Sequence, residues 1–235
     1  MKLIRFLLIC SLIVLISHIG LVAEEERSFT NTWGLSLGAI LVMQNGGDPH
    51  LFGGFEKSSK SQESSKQLLN QGWGVSSKDD LFKSLKWLKE EGNRKEFETI
   101  QRNYSKLDND RVQSKLRNIT NPKEVSRIEF VLNHDDPLNA NGILAWDMGR
   151  FVTVTGWGYL AGYISEKEAE EKISTILPMT QRSFQSWEEY AISYRAGRKF
   201  WNEKKAVQEE VRLDEIISKL LNDPQGMWNQ NPWPQ

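Results

Sequence analysis

Apolar residues recur at three- and four-residue intervals along most of the chain, and glycine, proline and short polar clusters separate the runs. Thr32 to Met43 (TWGLSLGAILVM) predicts a buried helix, ended by the C-cap signal Asn45-Gly46-Gly47. Residues 56–66, EKSSKSQESSK, contain no apolar side chain and read as a solvated loop. Ser77 with Asp80 three residues on resembles a capping arrangement. Leu81, Leu85 and Leu88 follow at helical spacing, and Gly92 closes that helix. Residues 94–107 continue as a helix carrying Phe97, Ile100, Tyr104 and Leu107.

The pattern is weaker over 108–142. Val125 to Leu132 fits a helix or a strand, because a short apolar run has no decisive period, while Asp135-Asp136-Pro137 and Asn139 to Gly142 are loop signals. From Ile143 about twenty residues are apolar (ILAWDMGRFVTVTGWGYLAGYI). Their length predicts a helix interrupted near Gly156 and Gly158, and Thr153-Val154-Thr155 keeps a strand open. Ser165 and Glu168 form a capping box that starts a helix through Leu177, stopped by Pro178. Ser186 and Glu189 form a second box, starting a helix to about Leu221 with Trp187, Tyr190, Tyr194 and Trp201 on one face. The tail, NDPQGMWNQNPWPQ, is too rich in proline for helix and is expected to lie over the domain through Trp228 and Trp233. No internal repeat is visible. The expectation is predominantly α: a single compact multi-helix domain over 32–235, after an acidic spacer at 24–31 and an N-terminal signal or anchor segment at 1–23.

That first segment, MKLIRFLLICSLIVLISHIGLVA, sets Lys2 and Arg5 ahead of an apolar run from Phe6 to Val22, followed by Glu24-Glu25-Glu26. The order is that of a secretory signal with its basic end held in the cytoplasm. Ala23 offers a cleavage point, with Leu21 bulkier than the small residue preferred at the −3 position. The run is long for a signal core and short for a spanning helix, so a cleaved signal and a retained anchor both fit. The expected location is the periplasm, or the membrane with the domain facing the periplasm. Leu8-Ile9 before Cys10 makes a poor lipoprotein site.

Composition narrows the chemistry. Hydrophobic residues at 39% and charged residues at 26% mark a folded chain, and nine tryptophans supply a core. The net charge is −1, or −3 once Lys2 and Arg5 are set aside, so there is no basic footprint for nucleic acid. Membrane contact is expected only through residues 1–23, if they are retained. Cys10 is the only cysteine and lies in the leader, which leaves the domain without a disulfide or a thiol nucleophile. His50 and His134 are too few and too far apart for a zinc site of the usual kind. The G-x-G at 156–158 lacks the third glycine of a nucleotide fingerprint, so neither metal nor cofactor is expected.

Three charged residues stand out in apolar surroundings. Asp147 and Arg150 share a helical face, and a charge there costs several kcal/mol unless it is paired. They read as a structural ion pair, with Arg150 over Trp146, or as an acid and an anion-binding guanidinium lining a cleft. Arg198, between Tyr194 and Trp201, could complete such a site or neutralise Asp147 across a helix interface. Glu168 and Glu189 are accounted for by their caps. Gly158 and Gly162 look like a close-packing face. Trp73, Trp87, Trp146, Trp157, Trp187 and Trp201 sit in periodic segments and read as core in preference to sugar-stacking platforms, while Trp228 and Trp233 are less constrained.

The motifs WGLSLGAIL, GWGVSSKDDL with WLKEEGNRKEF, AWDMGR, GYLAGYISEKEA, FQSWEEYAISYRAGRKFW and the final PW, in this order, resemble the bacterial family called domain of unknown function 1266. The likeness runs from about Trp33 to Trp233. It implies a compact, mostly helical domain and no particular activity. Relatives often carry His in a GHR motif where this chain has Asn93 before Arg94, and a basic residue near Thr155. Many lack a leader. The expected role is a non-enzymatic binding or structural domain of the cell envelope. The alternative is a metal-independent enzyme, a hydrolase in class, using Asp147 with Arg150 and Arg198.

Overall fold

One helix is apolar all round and forms the axis of the fold. In a computed structural model, which describes residues 32–134 and 137–234, Leu144–Leu160 (α8) is buried over almost its whole length. A helix with no polar face needs neighbours on every side. These are a helical turn at 32–36 (α1) with Ala39–Gln44 (α2), Ser59–Trp73 (α3), Lys78–Glu90 (α4), Glu166–Ser174 (α9), Trp187–Trp201 (α11) and a 3-10 turn at Phe52–Gly54. Arg94–Tyr104 (α5), Asn109–Leu116 (α6) and Pro122–Asn133 (α7) form a smaller cluster around Phe97, Ile128 and Phe200. Leu177–Ser183 (α10), Glu203–Asn222 (α12) and Met227–Gln230 (α13) complete the shell. The described residues are helices, turns and loops without a strand, which gives one predominantly α domain. None of these helices is long and apolar enough to cross a membrane. Residues 1–23 and the spacer lie outside the described residues, as do Asp135 and Asp136.

The structure departs from the sequence pattern in several places, each for a physical reason. α8 runs through Gly156 and Gly158 without a break or a strand. A Cβ on Gly156 would lie 2.1 Å from the Gly53 backbone nitrogen, and one on Gly158 would lie 2.3 Å from Leu81. Both glycines therefore mark close approach within a helix. Gly162, by contrast, sits past the end of α8 with φ +80. Residues 59–66 belong to α3, whose N-terminus is a capping box of Ser58 and Ser61. Val125 to Leu132 lie in α7, started by Asn121 with Pro122 in its first turn.

The expected helix over 32–43 breaks at Leu37 and Gly38, where backbone carbonyls leave the helical ladder. Tyr190 donates its hydroxyl to the Leu37 carbonyl at 2.8 Å, and Trp228 Nε1 donates to the Ser36 carbonyl at 2.9 Å. These side chains supply the donors that make the break tolerable. The helix from Ser165 ends at Ser174, and Pro178 falls in the first turn of a new helix, where its missing N–H costs nothing. The long helix from Ser186 is divided at Asn202, which has φ −159. Glu168 closes its capping box, and its hydrogen bond from Lys78 holds its carboxyl down at about 2. Glu189 instead accepts from Gln185 N and Asn139 Nδ2, both at 2.6 Å, tying α11 to the loop before α8.

Candidate functional site

Asp147 is completely buried, and its two oxygens accept four hydrogen bonds. Two come from backbone amides at the start of α5, Asn93 N at 2.9 Å and Arg94 N at 3.1 Å, where the helix dipole favours an anion. The others come from guanidiniums, Arg94 Nη1 at 3.0 Å and Arg150 Nη2 at 2.6 Å. Arg94 also donates to the carbonyls of Leu88 and Lys89 at the end of α4, so one side chain joins α4, α5 and α8. The turn between α4 and α5 leaves no space over the carboxylate. Gly92 has φ +60, and a Cβ there would fall 2.0 Å from Asp147 Oδ2.

Arg150 turns outward from this cage. Its Nε donates to the Trp146 carbonyl and its Nη2 also to Asn93 Oδ1 at 2.7 Å. Its guanidinium carbon lies 4.6 Å from the Trp146 ring centre, 5.5 Å from Trp73 and 5.8 Å from Trp87. Burial pulls its pKa below the usual arginine value, against the opposing pull of Asp147.

The outward face of Arg150 opens on a cleft of about 800 Å³ between α2, α3, α4, α8, α11 and α12. Arg198 lines it from α11 and pairs with Glu209 of α12, not with Asp147 as one reading of the sequence allowed. The side chain faces the neighbouring helix instead of the α8 cage. Its Nη1 is buried without a hydrogen-bond partner. Arg150 and Arg198 thus share a cleft, while Asp147 stands behind its wall.

The tryptophans divide differently from the core expectation. Trp146, Trp157 and Trp187 are buried, but Trp87 and Trp201 are 38% and 36% exposed at the cleft, and Trp73 is half-buried there. Trp228 and Trp233 are core residues, with Trp228 stacked on Trp187 at 4.8 Å and 4°. Periodicity identifies a helix face; it does not say whether another helix covers that face. Asn93 and Arg94, which hold Asp147 and Arg150, are site residues that the sequence pattern does not single out. The available signal was the position of Asn93-Arg94 just after the Gly92 stop. Thr155, where relatives often carry a base, is fully buried and donates to the Phe151 carbonyl. Among the described residues, no group of three or more His, Cys, Asp or Glu side chains could hold a metal ion.

A family model described as "Protein of unknown function (DUF1266)" matches residues 68–233, which covers the cleft except for its α2 wall. Two curated Escherichia coli (strain K12) proteins are similar. "Uncharacterized protein YbeR" is 23% identical over 57% of this chain and 56% of its own length. "Uncharacterized protein YbeU" is 20% identical over 67% of this chain and 66% of its own length. The chain thus spans between half and two thirds of these relatives. No solved structure matches.

Proposed function

Because the chain belongs to the DUF1266 family, whose description gives no activity, we propose its role from the cleft: a non-enzymatic binding domain for an anionic ligand, on an exported or membrane-anchored chain. The carrying observation is one of charge. Among the described residues a single carboxylate, Asp147, serves two guanidiniums, Arg94 and Arg150, so the buried cage holds one positive charge in excess. An under-compensated buried charge is costly, and a ligand anion against Arg150 would offset that cost. The hydrolase reading asks Asp147 to act as an acid or base. Its oxygens already accept four hydrogen bonds and are not part of the cleft wall, which favours a structural role for it.

Tryptophan indole N–H resonances test the reading. Replacing sodium chloride by sodium acetate at constant ionic strength should shift the signals of Trp73, Trp87 and Trp201 along a saturating curve. A drift shared equally by buried indoles such as Trp33, or no shift, would overturn anion recognition in this cleft. Placement in the envelope rests on the basic-then-apolar order of residues 1–23. Fractionated cells should yield either a soluble periplasmic protein starting at Glu24 or an intact N-terminus in the membrane; full-length soluble protein in the cytoplasm would refute export.

A further inference from the structure

We infer that the ligand of this cleft is a flat aromatic molecule carrying one carboxylate; this rests on the anion reading above and names its chemistry. The head group follows from stoichiometry. The excess at the Arg94–Asp147–Arg150 cage is a single charge, whereas the other cations lining the cleft, Arg198 and Lys83, are paired with Glu209 and Asp80. A carboxylate carries one charge, and a phosphate monoester about −1.5 to −2 at neutral pH, which overshoots the cage.

The same two guanidiniums have donors to spare. Arg150 commits Nε and Nη2 to protein acceptors, and Arg198 commits Nη2 to Glu209. That leaves Nη1 of Arg150 and both Nη1 and Nε of Arg198, and the Arg198 Nη1 is buried with no partner. Both guanidiniums flank the same indole, Trp146, at 4.6 and 6.0 Å. Guanidinium N–H groups of this kind suit the oxygens of a carboxylate. Glu209 is itself a carboxylate on Arg198 at the cleft wall, so the protein already places this group there.

The body of the ligand follows from the walls. Among the described residues five large apolar side chains are exposed, and Leu68, Trp87 and Trp201 of these line this one cleft. Exposed apolar surface gathered at a concave site marks a binding surface. The indoles of Trp73, Trp87 and Trp201 offer flat faces, which pair best with another ring. A cleft of about 800 Å³ also holds far more than a bare ion.

Calorimetric titration of the full chain with naphthoate tests this directly. Naphthoate should bind at one site, about tenfold tighter than decahydronaphthoate, naphthalenemethanol or naphthyl phosphate. Trp201→Ala, at an exposed position, should weaken naphthoate about tenfold with the fold intact. Glu209→Gln removes the resident carboxylate from Arg198 and should tighten naphthoate several-fold. Naphthyl phosphate binding as tightly as naphthoate would overturn the carboxylate assignment. Equal binding of the saturated acid would overturn the flat body. No binding of naphthoate, with acetate still shifting the cleft indoles, would sink the aromatic class and leave anion recognition standing. Equal binding of the neutral alcohol would sink both.

Discussion

Asp147→Asn is expected to lower the melting temperature of the protein by about 10 °C or more. The substitution keeps the shape of the side chain and removes the carboxylate that Arg94 and Arg150 share, and the two arginine side chains are 12% and 8% exposed. Removing one partner of a buried pair costs about 3–5 kcal/mol, because the remaining charge stays buried without compensation. For a domain of roughly 200 residues each kcal/mol is worth about 2–4 °C. Two guanidiniums would be stranded here, so the upper part of that range applies. Differential scanning calorimetry of the two proteins at neutral pH is the measurement. A folded variant with an unchanged melting temperature would show that the cage is not a structural unit, and Asp147 would return as a candidate acid.

The second large effect concerns the tail. Trp228→Ala should destabilise the protein by about 3–5 kcal/mol, the usual cost of deleting a buried tryptophan. Trp228 is 1% exposed, is stacked on Trp187, and gives the Ser36 carbonyl its hydrogen bond. Trp228→Phe keeps a ring but not the donor, so it separates packing from the carbonyl left unsatisfied and should fall between wild type and alanine. Urea unfolding, read as a midpoint shift at constant slope, measures both variants. If alanine changes stability by less than about 0.5 kcal/mol, as surface substitutions do, the tail is no part of the core.

Much of this architecture was visible along the chain where local chemistry decides it. The serine caps at 77, 165 and 186 each accept an amide from three residues on, and the leucines at 81, 85 and 88 are buried together. The start of α3 was not visible, because only Ser65 and Leu69 of that helix are buried and a stripe so thin leaves no apolar period. Gly156 misled for another reason. Helix propensity marks it as a break, but its value lies in letting the turn at Gly53 reach the α8 backbone, a contact a hundred residues distant in sequence.

The site followed the same division. Asp147 and Arg150, three residues apart on one helix, are legible as a pair. Arg94 lies 53 residues from Asp147 and Glu209 lies beyond a helix break from Arg198, so neither partner can be read from spacing. The charge excess that carries the functional reading exists only once Arg94 is counted. Pairwise reading would have balanced Asp147 against Arg150 and found nothing left over.

The hydrogen bond from Trp228 to Ser36 joins positions 192 residues apart. A growing chain therefore holds the helical turn at 32–36 without the partner that completes it until Trp228 has been synthesised. Contacts of such span form late and slowly. Were the chain exported as proposed above, that delay would have a use: the polypeptide would stay threadable through a translocation channel until Trp228 had crossed and could fasten residues 32–36.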